Sequence, residues 1–216
     1  MRKALFIGLL LFFIYFSTNA QVYVEPIIGY QIDMTNHPRL NQLNTSVQFA
    51  FKTKRSELLL TLQKSWGLNR FSTDSSFTLN PALPLYSPAQ KKMTPNSFSF
   101  LITRRSFLFG NRNGQHMSFL ASIGMEHQQI KVQYNYDKND YVILNPDKTI
   151  QQTSINLETG LEYMLPLKNG RFFTQMKIIL VEGVRKLNYP ISFHYPAPLT
   201  INVGCSFLLK KHHAKK

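Results

Sequence analysis

The stretch from Ser154 to Leu180 reads SINLETGLEYMLPL, then KNGR, then FFTQMKIIL. In its first arm Ile155, Leu157, Leu161, Tyr163, Leu165 and Leu167 hold odd positions, with Asn156, Glu158, Gly160 and Glu162 between them. Alternation of period 2 marks a strand with one apolar and one polar face. Asn169-Gly170 then supplies the two residues tolerant of positive φ that a type I′ hairpin turn uses. With those two as the loop, Lys168 faces Arg171, Tyr163 lies opposite Met176, Leu161 opposite Ile178, and Glu162 opposite Lys177. This register sets apolar against apolar on one face and opposite charges on the other. Pro166 has no N–H to give a ladder and marks the frayed, turn-proximal end.

The same period recurs outward from this hairpin. Val22 to Ile32 puts Val22, Val24, Ile28 and Tyr30 on one face and Glu25, Ile27 and Gly29 on the other. Leu43 to Lys52, Glu57 to Trp66, Asn96 to Phe109, Met117 onward and Leu199 to Leu209 repeat the pattern. With the two hairpin arms this makes eight strands of roughly 10 residues, long enough to cross a bilayer when tilted. The phase slips at Glu126 to Gln129, as a bulge would cause, or a strand leaving the membrane. Connections alternate, long after strands one, three, five and seven and short after two, four and six. Gly67 to Pro95 has no periodicity and is expected to be a large loop, as are Asp137 to Thr149 and Val184 to Pro198.

The chain opens with Met1-Arg2-Lys3, an apolar run from Ala4 to Phe16, then Ser17-Thr18-Asn19-Ala20. Such an order of basic, apolar and small residues is a secretory signal, with the cut expected after Ala20. Cleavage removes Arg2 and Lys3 and lowers the net charge from +14 to +12. Basic residues sit in connections and in the tail from Lys210 to Lys216, with no basic stripe on a helix, so nucleic acid is not the expected partner. Anionic lipid head groups and lipopolysaccharide phosphates suit the charge better. The single cysteine, Cys205, forms no internal disulfide. The expected organisation is a signal at 1–20, one barrel at 21–209 and a basic tail at 210–216.

Alternation alone does not say whether the apolar face meets a core or lipid. A soluble lipocalin-type barrel, carrying a lipophilic ligand, would invert the faces. Aromatic residues on the apolar face gather near strand ends: Tyr30, Trp66, Phe98 and Tyr134 at the outer ends, and Phe51, Phe107, Phe109, Tyr163, Phe172 and Phe207 at the periplasmic ends. Two such belts match the two interfaces of a membrane. The expected fold is an all-β, eight-stranded antiparallel up-and-down transmembrane barrel, with long loops outside and short periplasmic turns. Glu25, Lys52, Arg105, Glu126, Glu158, Glu162 and Lys177 then point inward, and eight strands leave a lumen that side chains fill.

The signal ending Thr18-Asn19-Ala20-Gln21, the alternating strands and the final Asn202-Val203-Gly204-Cys205-Ser206-Phe207 resemble the small eight-stranded outer-membrane barrels of the Bacteroidota. That group is similar in architecture to the transmembrane part of OmpA and to OmpX, and at its broadest includes PorT-like proteins. The resemblance implies insertion by the barrel-assembly machinery, which reads an aromatic residue in the last strand. Here Phe207 is followed by Leu208-Leu209 and the basic tail.

The expected function is non-enzymatic, a structural or cell-surface binding role with a plugged interior and no cofactor or metal. Trp66, Tyr86, Tyr189, His194 and Tyr195 are candidate loop contacts, to an envelope protein among others. A lipid A or phospholipid hydrolase is the enzymatic alternative. His116-Met117-Ser118 resembles the His-x-Ser of lipid A deacylases but lies beside a short turn with no placed acid. His212-His213 lacks a closing ligand set for a metal.

Overall fold

The computed structural model describes residues 21–32, 41–52, 57–111, 114–143, 148–186, 192–194 and 198–210. The expected signal, most of the basic tail with His212-His213, and Tyr189 and Tyr195 lie outside the described residues.

The strands are β1 (Gln21–Ile32), β2 (Gln42–Lys52), β3 (Glu57–Gly67), β4 (Arg70–Thr78), β5 (Tyr86–Gly110), β6 (His116–Asn135), β7 (Tyr141–Val142), β8 (Lys148–Leu167), β9 (Gly170–Lys186), β10 (Ser192–His194) and β11 (Leu199–Lys210). Eight of them close a ring in the order β1-β2-β3-β5-β6-β8-β9-β11, every neighbour antiparallel. The last strand pairs with the first, Ile28 opposite Val203 and Val24 opposite Phe207, so the ring has no free edge. Each ring strand lies beside its neighbours in sequence, an up-and-down barrel.

Sequence parity decides which side chains turn inward. Along β2, Gln42, Asn44, Ser46, Gln48 and Ala50 are buried, while Leu43 and Val47 are exposed. Along β6 the exposed partners are Phe119, Ile123 and Met125, the last two more than half exposed at 52% and 56%. The barrel is therefore polar within and apolar without.

Three expectations are corrected. The opening hairpin turns on Lys168 and Asn169, with Leu167 opposite Gly170, Glu162 opposite Gln175 and Gly160 opposite Lys177. The pairing is displaced by two residues from the expected register, and Glu162 does not face Lys177. A one-residue slip would have moved every side chain to the wrong face, but a two-residue slip keeps both faces intact, so hydrophobic alternation does not separate the two registers. Gly170 serves close approach instead of turn geometry: a Cβ there would run into the carbonyl oxygen of Ser206 on β11. The positive φ of +105° belongs to Gly110, where β5 turns toward β6.

The second correction concerns 67–95. β4 and the first residues of β5 form a hairpin, Arg70 opposite Met93 through Phe77 opposite Tyr86. β6 continues alongside, from Ile130 opposite Pro95 to Asn135 opposite Gln90, and β7 adds two residues at Phe77 and Thr78. A small sheet thus rises from one side of the ring at the long-connection end. Its serines and prolines hide it from periodicity, because only scattered positions in it, among them Ser76, Ala89 and Val132, are buried. Likewise the other expected loops hold strand: β8 starts at Lys148, β9 runs to Lys186 and β10 pairs with it.

Third, β6 has no bulge at Glu126 to Gln129. Its register with β5 is unbroken from Gln90 to Phe107, and even positions keep the inward phase past the rim. Ile130, Val132 and Tyr134 are apolar because they have left the barrel, the other expectation raised by the phase slip. The β5–β6 irregularity lies at Phe107/Phe109.

Gly170→Ala is expected to lower stability by about 1–3 kcal/mol, while Asn169→Ala leaves it nearly unchanged, measured by urea unfolding in micelles. Equal losses at both positions would favour an Asn-Gly turn.

Candidate functional site

A network of buried ion pairs lies inside the barrel, toward the short turns. Arg105 on β5 is 3% exposed and Glu25 and Glu162 are 0% and 1% exposed. Its Nη1 donates to Glu57 Oε2 at 2.6 Å and to Glu25 Oε1 at 3.3 Å. Its Nη2 donates to Glu25 Oε2 at 2.9 Å and to Glu162 Oε2 at 2.7 Å. One planar guanidinium thus joins carboxylates from β1, β3 and β8, the fork geometry for which Arg is suited and Lys is not.

Two amide relays carry this junction around the ring. Gln48 Nε2 donates to Glu25 Oε2 at 2.5 Å, and Gln48 Oε1 accepts from Thr61 Oγ1 at 3.0 Å. On the other side Gln175 Nε2 donates to Glu162 Oε2 at 2.8 Å, and Gln175 Oε1 accepts from Asn202 Nδ2 at 3.3 Å. The connected set Thr61, Gln48, Glu25, Arg105, Glu162, Gln175 and Asn202 draws one residue from each of seven ring strands. Cross-strand placement explains the relays: Glu25 lies opposite Gln48, which lies opposite Thr61, and Glu162 lies opposite Gln175, which lies opposite Asn202.

Charge is balanced locally. Lys52 and Arg171 each approach Glu57 Oε1 at 3.6 Å, so Arg105, Lys52 and Arg171 stand against Glu25, Glu57 and Glu162. Apolar groups fill in around them. The Phe173 ring lies 5.8 Å from the Arg105 guanidinium carbon, and Arg171 stands over the Tyr23 ring at 4.8 Å. Tyr23, Ala50, Leu59 and Leu120 form one buried cluster, and Ile27, Met164 and Phe173 another. Toward the long connections the lumen is lined by Asn44, Asn156 and Asn202, whose buried amide oxygens have no protein partner among the described residues. Groups of this kind draw in water.

Each expected interior residue has a defined place. Glu25, Lys52, Arg105 and Glu162 come together as described. Lys177 pairs instead with Glu158 Oε2 at 3.9 Å, and Glu126 accepts from Asn156 Nδ2 at 3.2 Å. Sequence reasoning does not single out Glu57 or Arg171. Their parity is the available signal, shared with Leu59 and Thr61 in one case and Phe173 and Gln175 in the other. It is obscured because both residues sit beside short turns.

Of the expected aromatic residues, Tyr30, Trp66 and Phe98 face outward near the long connections. Phe51, Phe107, Phe109, Tyr163, Phe172 and Phe207 face outward near the short turns; Phe51 packs with Leu60, Val22, Phe49 and Phe100. Tyr134 does not belong to either belt. It stands in the sheet beyond the rim, its hydroxyl donating to Asp74 Oδ2 at 3.2 Å with Lys91 Nζ 3.7 Å from the same oxygen. His116 and Ser118 are buried inside the barrel, and His116 Nδ1 donates to the Gly114 carbonyl at 2.9 Å. That nitrogen is occupied, and the ring lies 5.9 Å from the Phe107 ring.

Neither a family model nor a curated protein sequence matches the chain. Among solved structures, the chain is similar to the N-terminal β-barrel domain of Pseudomonas aeruginosa OprF, with 19% identity, a TM-score of 0.49, and coverage of 87% of this chain and 99% of that one. It is also similar to Neisserial surface protein A, with 8% identity, a TM-score of 0.45 and coverage of 87% and 97%. A major outer membrane protein from Thermus thermophilus gives 8% identity, a TM-score of 0.49 and coverage of 86% and 98%.

Arg105→Met strands three carboxylates and is expected to cost about 3–5 kcal/mol, as breaking buried pairs does. Glu162→Leu leaves Arg105 with two carboxylates and costs less, and combining Arg105→Met with Glu162→Gln recovers part of the loss. Urea unfolding in micelles checks the order. In the outer sheet, the Ser75 backbone N–H holds the Asp74 carboxyl below its usual range, helped by Tyr134 and Lys91. A depressed carboxylate stabilises above its unfolded pKa of about 3.9 and loses that contribution as pH falls through the lower folded value. Protection of β4 amides, taken as their exchange rate relative to the intrinsic rate at the same pH, is therefore expected to fall below about pH 4 in the wild type, with Asp74→Asn poorly protected throughout.

Proposed function

We propose that the protein is a non-enzymatic outer-membrane barrel with a structural or surface-binding role, its lumen closed by the Arg105 junction. The observation carrying this reading is the division of faces: a closed ring with exposed apolar residues all round outside and charge buried inside. In water such a belt would be an aggregation surface, whereas in lipid it is the required solvent face.

In this reading the long connections and the β4–β5–β6 sheet stand outside the cell, the short turns face the periplasm, and the expected signal delivers the chain. Insertion by the barrel-assembly machinery and kinship with Bacteroidota and PorT-like barrels belong to the same proposal, supported by the sequence resemblance. A lipophilic-ligand carrier is not favoured, because its lumen needs an apolar lining and here Glu25, Gln48, Arg105, Glu162 and Gln175 occupy it.

Recovery of the chain in the outer-membrane fraction, as a folded band that shifts on boiling, is the expected result. A freely soluble periplasmic protein would contradict the proposal.

A further inference from the structure

The outward face is not uniform. A groove of about 710 Å³ crosses it over β1, β2, β3 and β11. Cross-strand pairing accounts for its shape. One row runs Val203, Ile28, Thr45, Lys64 and Phe98, and the next along β2 and β3 places Pro26, Val47 and Leu62 side by side. Small or short side chains, Thr45, Val47 and Val203, make the floor, while Phe98 and Phe207 stand half exposed as walls. The single charge in this lining is Lys64, two residues from Trp66 at the long-connection rim. Among the described residues, no carboxylate lies within ion-pair distance of its ammonium group.

An unpaired cation on an otherwise apolar wall has one comfortable position. Its stem lies along the apolar floor while the ammonium reaches the polar layer above. In the membrane reading that layer is the outward leaflet, built of phosphorylated glycolipid. We propose that the groove is a lipid site for a lipid A-type molecule of that leaflet, one acyl chain lying across Val47 and Val203 and a phosphate meeting Lys64. The inference rests on the outer-membrane reading. Charge complementarity selects a phosphate, the apolar floor selects a chain attached to it, and the position of Lys64 near the long-connection end of β3 selects the leaflet. The cation at the other end of the outward face, Arg104 on β5, lies opposite Leu58 beside the short turns and does not share the groove.

The chain contains one tryptophan, Trp66, on the same face as Lys64, so the protein carries its own reporter. The folded barrel is placed in phosphatidylcholine nanodiscs and titrated with lipid A, following Trp66 emission. A saturable shift is expected, weakened about tenfold or more by Lys64→Gln through loss of a charge-assisted contact. Lys64→Arg is expected to restore it, Val47→Phe to weaken it by filling the floor, and Arg104→Gln to leave it unchanged. Phosphatidylglycerol is expected to give at most a weak response. A shift that does not saturate, that survives both Lys64→Gln and Val47→Phe, or that phosphatidylglycerol reproduces in full would overturn the site while leaving the membrane barrel standing. A chain that fails to enter nanodiscs as a heat-modifiable band would overturn both readings.

Discussion

The grip of one guanidinium on three carboxylates is the constraint around which the lumen is arranged. Arg105 is buried, and a buried cation is tolerated only with partners that replace its water. Glu25, Glu57 and Glu162 supply them from three strands, and Lys52 and Arg171 then balance the excess negative charge. Each carboxylate needs its register held to within one residue pair. The junction therefore couples the pairing of β1, β3, β5 and β8, and the amide relays through Gln48 and Gln175 extend that coupling to β2, β9 and β11. Replacing such a cluster with apolar residues of equal volume often raises stability. Its three carboxylates meet Arg105 only in the observed pairing of β1, β3, β5 and β8, a constraint that apolar patterning does not supply.

The hairpin at 154–180 shows why such specification is needed. Two registers two residues apart put the same side chains on the same faces. In the observed one, Glu162 meets Gln175 and reaches Arg105, while Lys177 drops to the level of Glu158. The expected one pairs Glu162 with Lys177 and looks equally good locally. What separates them is non-local: the demand of Arg105 for a third carboxylate, and the close approach of Gly170 to the Ser206 carbonyl. Neither is visible within the hairpin's own residues.

Much of the architecture was legible because alternation is a direct image of a two-sided strand. Eight strands, their in-and-out parity and the alternation of long and short connections all follow from it. What was not legible falls into two kinds. Strands with little covered surface, β4 and the first part of β5, carry no period: Ser76 and Ala89 are buried, but Ser72, Thr73 and Ser75 are not and need not alternate. Residues beside short turns, Glu57 and Arg171, look like surface charges until the ring closes and turns them inward. Tyr134 reads as a belt residue only if β6 ends at the rim, and the strand runs on past it.

The central claim is that odd positions of β8 meet lipid and even positions meet a closed polar interior. Spin labels placed singly from Ser154 to Glu162, with the barrel in lipid vesicles, test it through collision rates with oxygen and with a water-soluble nickel complex. The account expects oxygen accessibility to rise and fall with period 2, high at Ile155, Leu157 and Leu161, with low nickel accessibility at those same positions. High nickel accessibility at Ile155, Leu157 and Leu161 would put that face in water and contradict the account.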